Sequence, residues 1–345
     1  MSPAMFVSRR NLLLVAASSA LATPRELLTP HKLNRLVLAP SGKPGAFDQQ
    51  AVDCPFVFRH EDRFGMTFLG FDGTGYQTGL AWSTNLLGWT VEACIAARDP
   101  ANPLFRHNVA INWIVREDDL DSPGRLRTFG GDYIGVYHAY PNPGYEQGPA
   151  VIGICRSRDL RSWRFDAPCL RPEDGASWER GGLYKPCLLE HNGTFHLFYN
   201  AKNQDRPWRE QTGLATSRDL RTFTRYPGSP VIGNGPPGSP DERFASDPCV
   251  LRFRRQWALF YFGLDARGVA RDLVALSADL RAFTKCDAIL IDTGGPGAID
   301  EKYAHKPSVI MHQGALYHFY CAVAKNDRRG ISVACSRPFA LSSYP

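Results

Sequence analysis

Ser217-Arg218-Asp219-Leu220-Arg221-Thr222-Phe223 is one copy of a piece that recurs down the chain. It stands also as Ser83-Thr84-Asn85-Leu86-Leu87-Gly88-Trp89, Ser157-Arg158-Asp159-Leu160-Arg161-Ser162-Trp163 and Ser277-Ala278-Asp279-Leu280-Arg281-Ala282-Phe283. A degenerate copy is Ser336-Arg337-Pro338-Phe339, and after Ser83 the spacing from serine to serine is nearly constant. A second piece lies upstream, at Asp53-Cys54-Pro55, Lys185-Pro186, Asp247-Pro248 and Lys306-Pro307. The step from Pro55 to Pro186 is twice the later steps, so one unit lacks the proline. Asn108-Val109-Ala110-Ile111-Asn112-Trp113-Ile114 is the candidate for it. Two independent markers sharing one period identify a repeat architecture.

Each unit has the same order. A short apolar strand follows the proline, then a turn such as His191-Asn192-Gly193-Thr194, then an aromatic strand such as Phe195-His196-Leu197-Phe198-Tyr199. A third strand runs into the Ser-x-Asp-Leu turn, and a less regular strand closes the unit. Alternation and Asn-Gly turns are antiparallel meander signals. Five such units predict an all-β fold, a single five-bladed β-propeller of four-stranded antiparallel blades. Composition agrees: 31 Gly and 26 Pro in 345 residues punctuate the chain too often for long helices. With 43% hydrophobic and 21% charged residues, extended disorder is excluded.

The first residues carry Ser8-Arg9-Arg10-Asn11-Leu12-Leu13-Leu14, an apolar run and Ala20-Leu21-Ala22. A charged start, an apolar stretch and a small-residue cleavage site make a leader, and the paired arginines resemble a bacterial twin-arginine signal. The expected organisation is a signal peptide over 1–22, an N-terminal extension over 23–44 and the propeller over 45–345, in a periplasmic or secreted protein. Removing the leader takes the net charge from +6 to +4. That value, with no dense basic stripe, argues against nucleic acid as a partner. No stretch reaches the length of a membrane span. Nine cysteines, mostly inside apolar runs, read as buried thiols and not as a disulfide framework. They fit export of an already folded chain. The sequence carries no oligomer signal.

The innermost strand of a propeller blade lines the central channel. The residues before the prolines therefore place Asp53, Lys185, Asp247 and Lys306, with His305, around one cavity, as a purpose-built polar ring.

These features resemble the five-bladed glycosidase superfamily that contains glycoside hydrolase families 32, 43, 62, 68, 117 and 130. The resemblance covers about residues 45–340 and rests on the blade pattern, on His191-Asn192-Gly193-Thr194-Phe195-His196-Leu197-Phe198-Tyr199-Asn200 and on the Asp-Pro strand starts. The Trp-x-Asn-Asp-Pro-Asn-Gly signature of family 32 is absent, which argues against fructan chemistry. Family 43 has an acidic residue where this chain has Lys185. An Asp in blade one, an Asp in blade four and a Glu/His segment entering blade five are most similar to family 117.

The resemblance implies an inverting, exo-acting hydrolase of oligosaccharides, with one carboxylate activating water and an acid protonating the leaving oxygen. Asp53 resembles the general base and Asp247 the carboxylate that orients substrate and tunes the acid. His305 and Glu301 are the leading candidates for the acid, followed by Glu242 and Glu210. Lys185 and Lys306 are candidate substrate ligands or charge balance for the aspartates. Trp82, Tyr184, Trp208 and Tyr303 are candidates for stacking on sugar faces. No cofactor is required, and the channel leaves room for a structural Ca²⁺ on the axis. Two competing readings are a family 130-like phosphorylase, using the lysines for phosphate, and a non-catalytic carbohydrate-binding propeller.

Overall fold

The computed structural model describes residues 20–339. The paired arginines and apolar run of the expected leader lie outside the described residues. Among the described residues, helical structure is limited to three single 3-10 turns, Arg25–Leu27, Pro172–Asp174 and Ser177–Glu179. No helix among them is long and apolar enough to cross a membrane. The rest is strand and connection, so the chain is all-β.

The strands fall into five antiparallel units, the last three joined into one sheet by single parallel bridges, Glu210 to Phe244 and Ala270 to Tyr303. The earliest strand, β1 (His31–Lys32), belongs to the last of them. Unit one is β2 (Ala51–His60), β3 (Arg63–Phe71), β4 (Tyr76–Ser83) and β5 (Thr90–Ala96). Unit two is β6 (Ala110–Ile114), β8 (Asp132–Ala139), β9 (Val151–Ser157) and β10 (Arg164–Leu170), with the short β7 (Thr128–Phe129) paired to β8. Unit three is β11 (Gly182–His191), β12 (Thr194–Lys202), β13 (Glu210–Ser217) and β14 (Thr224–Arg225). Unit four is β15 (Phe244–Phe253), β16 (Gln256–Leu264), β17 (Ala270–Ser277) and β18 (Thr284–Lys285). Unit five is β19 (Tyr303–His312), β20 (Ala315–Val323) and β21 (Arg329–Cys335), completed by β1. Asn108–Ile114, the segment lacking a proline, supplies β6.

The repeated turn has a local cause. In Ser217-Arg218-Asp219-Leu220, the serine Oγ accepts the Leu220 N–H (3.0 Å), and Asp219 Oδ1 accepts N–H groups from Arg221 and Thr222. The leucine stands in the left-handed region, at φ 61°, as do Leu86, Leu160 and Leu280. Short polar side chains satisfying nearby backbone donors make such turns. Trp89 and Trp163 donate Nε1–H to the carbonyls of Leu86 and Leu160, and Trp89 also packs edge-on against Phe319 of β20.

The first strands touch in sequence, β2 on β6, β6 on β11, β11 on β15, β15 on β19, and β19 on β2. Phe56, Val57 and Phe58 of β2 and Val309 of β19 are fully buried or nearly so. Arg116 pins the seam between them, donating to the carbonyls of Val57 and Val309 at 2.7 Å each. The segment before β2 is tied down too: Leu27 is fully buried, and Thr29 Oγ1 lies 3.3 Å from His318 Nδ1. His318 Nε2 in turn lies 3.1 Å from Asp272 of unit four. The expected N-terminal extension thus lies across units four and five.

Candidate functional site

Each first strand carries a bulge at the same place. The register shifts between Asp53 and Phe56, Ile111 and Trp113, Tyr184 and Cys187, Ser246 and Cys249, and His305 and Ser308. The residue before each proline takes the left-handed conformation: Cys54 (φ 56°), Lys185 (47°), Asp247 (56°) and Lys306 (68°). A bulge inserts one residue and re-aims its side chain. Asn112, Lys185, Asp247 and Lys306 line a small cavity of about 30 Å³, together with Trp113 and the prolines 55, 186, 248 and 307. The expected ring therefore shifts by one in unit one: Cys54 is the counterpart of Lys185, Asp247 and Lys306, while Asp53 corresponds to Tyr184, Ser246 and His305.

Asp53 is fully buried. Its Oδ2 accepts from the Tyr76 hydroxyl (2.6 Å), Arg329 (2.7 Å) and Lys306 Nζ (3.0 Å), and its Oδ1 accepts the Cys54 N–H (2.8 Å). Burial alone would raise this carboxyl, but Lys306 and then Arg329 outweigh it and hold it well below the usual range. Asp247 is the opposite case. Its Oδ1 accepts from Asn200 Nδ2 (3.1 Å), its Oδ2 is buried with no hydrogen-bond partner among the described residues, and burial raises its carboxyl to about 7. His305 packs against Phe262 and Tyr303, with Nδ1 3.2 Å from the Cys321 carbonyl. Burial, reinforced by Lys306, lowers its imidazole to about 3, so it is neutral near pH 7.

A larger pocket, about 270 Å³, opens beside these groups. Four of its lining residues, Tyr76, Glu210, Ala270 and Arg329, begin the third strands of units one, three, four and five. Glu146 enters it from the loop between β8 and β9. Burial would raise the Glu146 carboxyl, but Lys306 and Lys202 bring it down to about 2. Glu210 accepts from Asn200 Nδ2 (2.8 Å), Trp208 Nε1 (3.0 Å) and Ser246 Oγ (3.1 Å). Lys202 Nζ stands 3.9 Å from Glu146 Oε2 and 3.8 Å from Glu210 Oε1. One ammonium thus bridges both carboxylates, and the two oxygens can be no further apart than those distances laid end to end. That bound admits both the retaining spacing of about 5–5.5 Å and the lower part of the inverting range of about 6.5–9.5 Å. Asn200 links Glu210 to Asp247, donating to both.

Trp208, Tyr303, His305 and Lys306 all line this pocket. Lys185 faces the small cavity instead. Tyr184 is buried beneath Lys202, with its hydroxyl on the carbonyls of Gly148 and Glu146. Trp82 is away from the site, bonded to Glu92 and packed on Arg63 and His60. Glu301 belongs to a separate hollow with Lys325 and Arg328, and Glu242 caps Gly238 in a connecting loop. Glu146, Lys202, Tyr76 and Arg329 join the site without having been singled out by sequence reasoning. The third-strand starts carry a signal for Tyr76 and Arg329, which fall at one position of the repeat.

A calcium ion takes six to eight oxygens. The small cavity offers Lys185 and Lys306 beside Asp247 and Asn112, a donor set that does not suit it. Among the described residues no three His, Cys, Asp or Glu side chains converge as a metal site.

The family described as glycosyl hydrolases family 32 N-terminal domain matches residues 118–329. A levanase of Bacillus subtilis (strain 168) is 26% identical over 210 residues, covering 58% of this chain and 28% of the levanase. The chain spans under a third of the length of the curated relatives it matches. Among solved structures, a complex of BT0996 with RGII is similar with a TM-score of 0.80 and 29% identity, covering 93% of this chain and 95% of that one. A family 117 glycoside hydrolase, Zg3597 of the marine bacterium Zobellia galactanivorans, has a TM-score of 0.61 at 13% identity, over 90% and 91% of the two chains. That likeness is one of fold.

Proposed function

The chain belongs to the glycosyl hydrolases family 32 N-terminal domain family, and from that premise we propose an exo-acting, inverting glycoside hydrolase whose working pair is Glu146 and Glu210. The observation that carries this reading is Lys202, held between two carboxylates in a pocket walled by Trp208, Tyr145, Phe244 and Tyr303. Glycosidases use two such groups across the scissile bond. Glu146, which the lysines keep ionised, activates the water. Glu210 is assigned the acid's role at the leaving oxygen. Asp247, through Asn200, is a positioning residue for Glu210. Asp53, with Oδ2 filled by three donors, anchors Lys306 and Arg329, and we move the general base from it to Glu146. The five units, whose first strands touch in a cycle, are read as the blades of a five-bladed propeller. A pocket of about 270 Å³ suits one terminal sugar, hence exo-action. The nine cysteines are all unpaired, which supports the twin-arginine export of a folded chain to the periplasm or beyond.

The test is turnover by the purified protein on aryl glycosides and on RGII, named with the 29%-identical structure. Glu146→Gln and Glu210→Gln are each expected to lower kcat by roughly 10³ with an unchanged melting temperature. Wild-type turnover in either variant would remove it from the pair. NMR of the released sugar reads the stereochemistry. Retention, which needs carboxyls about 5–5.5 Å apart, would overturn inversion and leave the pair standing. Sugar phosphate formed only with added phosphate would replace hydrolysis by phosphorolysis. Arg9→Lys with Arg10→Lys is expected to keep a reporter fusion in the cytoplasm.

A further inference from the structure

A second hollow of about 430 Å³ adjoins the pocket and shares Glu146, Gln147, Lys202 and Trp208 with it. The two meet at Glu146 and Lys202, but their charges differ. In the first, every cation is matched: Lys306 and Arg329 by Asp53, Lys202 by the two glutamates. In the second, Arg180 and Arg206 line the wall, and neither has an ion-pair partner among the described residues. The acids beside them are engaged elsewhere. Glu179 binds Arg225 (3.0 Å) and the Tyr199 hydroxyl (2.6 Å), and Asp205 accepts from Asn203 Nδ2 (2.7 Å).

Both arginines sit on pinned backbone. Arg180 ends the 3-10 turn Ser177–Glu179, whose Glu179 Oε2 accepts the Ala176 N–H at 2.8 Å. Arg206 lies in a loop closed by Asn203 and Arg209, which exchange bonds of 3.2 and 2.9 Å. Lys202 and Glu146 offset each other across the boundary, so the hollow keeps two unmatched guanidinium groups. A guanidinium presents a planar fork that fits the two oxygens of a carboxylate.

Resting on the glycosidase reading, we infer that this second hollow receives the leaving-group side of the substrate, and that this side carries a carboxylate: the sugar next to the cleaved bond is a uronic acid. Trp208, oriented by its bond to Glu210, stands at the division and stacks on the ring that crosses it.

Two measurements test this. The first is kcat/KM on two oligosaccharides with one terminal sugar, where the leaving residue is a uronic acid or its methyl ester. The acid is expected to be preferred by about tenfold or more, as for hydrogen bonds to a charged group. Arg180→Met with Arg206→Met is expected to bring that ratio toward one, and rising salt to shrink it. The second is calorimetry of the free uronic acid against its methyl ester on the wild-type protein, which does not depend on cleavage. Equal binding of acid and ester, or tighter binding of a sulfated sugar, would overturn the inference. Absence of turnover on every substrate, with the acid still preferred in binding, would overturn the glycosidase reading and leave the second hollow as a uronic-acid binding site without a leaving group.

Discussion

Two hollows in this molecule share Lys306 and otherwise contrast. The small cavity, about 30 Å³, is built by one position of the repeat used in four units, and its polar groups are locked by bulges. The neighbouring pocket, about 270 Å³, is built by a different position of the repeat plus the long loop between the second and third strands of unit two. The first concentrates charge where nothing larger than a water can enter. The second places charge beside aromatic walls and open space. The strand-start position before the prolines thus marks how the units are held together, while the proposed pair combines a third-strand start, Glu210, with Glu146 from a long loop.

That contrast can be broken most severely at Asp53. Asp53→Asn leaves Lys306 and Arg329 buried without their carboxylate, and is expected to cost about 3–5 kcal/mol of stability in chemical denaturation. A variant as stable as wild type would return Asp53 to the candidates for chemistry. Next comes Lys202→Met, which is expected to lower kcat about 10²-fold. It should also move the acid limb of the pH–rate profile upward, since Lys202 helps hold Glu146 down near 2. An unmoved limb would detach Lys202 from the pair.

A smaller effect separates the axial carboxylate by pH. Asp247 has a folded value near 7, above its unfolded one, so its contribution is present at acid pH and lost as pH rises through about 7. Stability measured from pH 4 to pH 8 is expected to fall with a slope that Asp247→Asn flattens. An equal slope in both proteins would place the titration elsewhere. The mildest change is Trp208→Ala, expected to raise KM about tenfold, or ~1.4 kcal/mol, with kcat altered far less. A fall in kcat alone would make Trp208 a support for Glu210 and not a sugar platform.

The repeat was legible because its turn is made of neighbours in sequence: Ser217, Asp219 and Leu220 sit side by side, and their groups bond within one short loop. Hairpins were legible for the same reason, as at Asn192 and Gly193, both in the left-handed region. The ring at the strand starts was legible up to a slip of one residue in unit one. Asp53 and Cys54 are equally plausible before Pro55 on paper, and only the bulge decides which faces the axis. Glu146 was not legible, because its role depends on Lys202 and Lys306, both distant from it along the chain. Glu301 is a candidate on residue type, as a glutamate in the segment entering unit five, yet it lines another hollow.

The pairing of β1 with β21 also sets an order of events in time. A ribosome delivers His31 long before its partner Cys335. Until then β21 does not exist, and the earlier units wait with an exposed edge, the surface on which stray strands pair. Such distant closure is slow to find. The last sheet is therefore completed only after the units between its two ends have been made, an order recorded in the fold by a two-strand clasp.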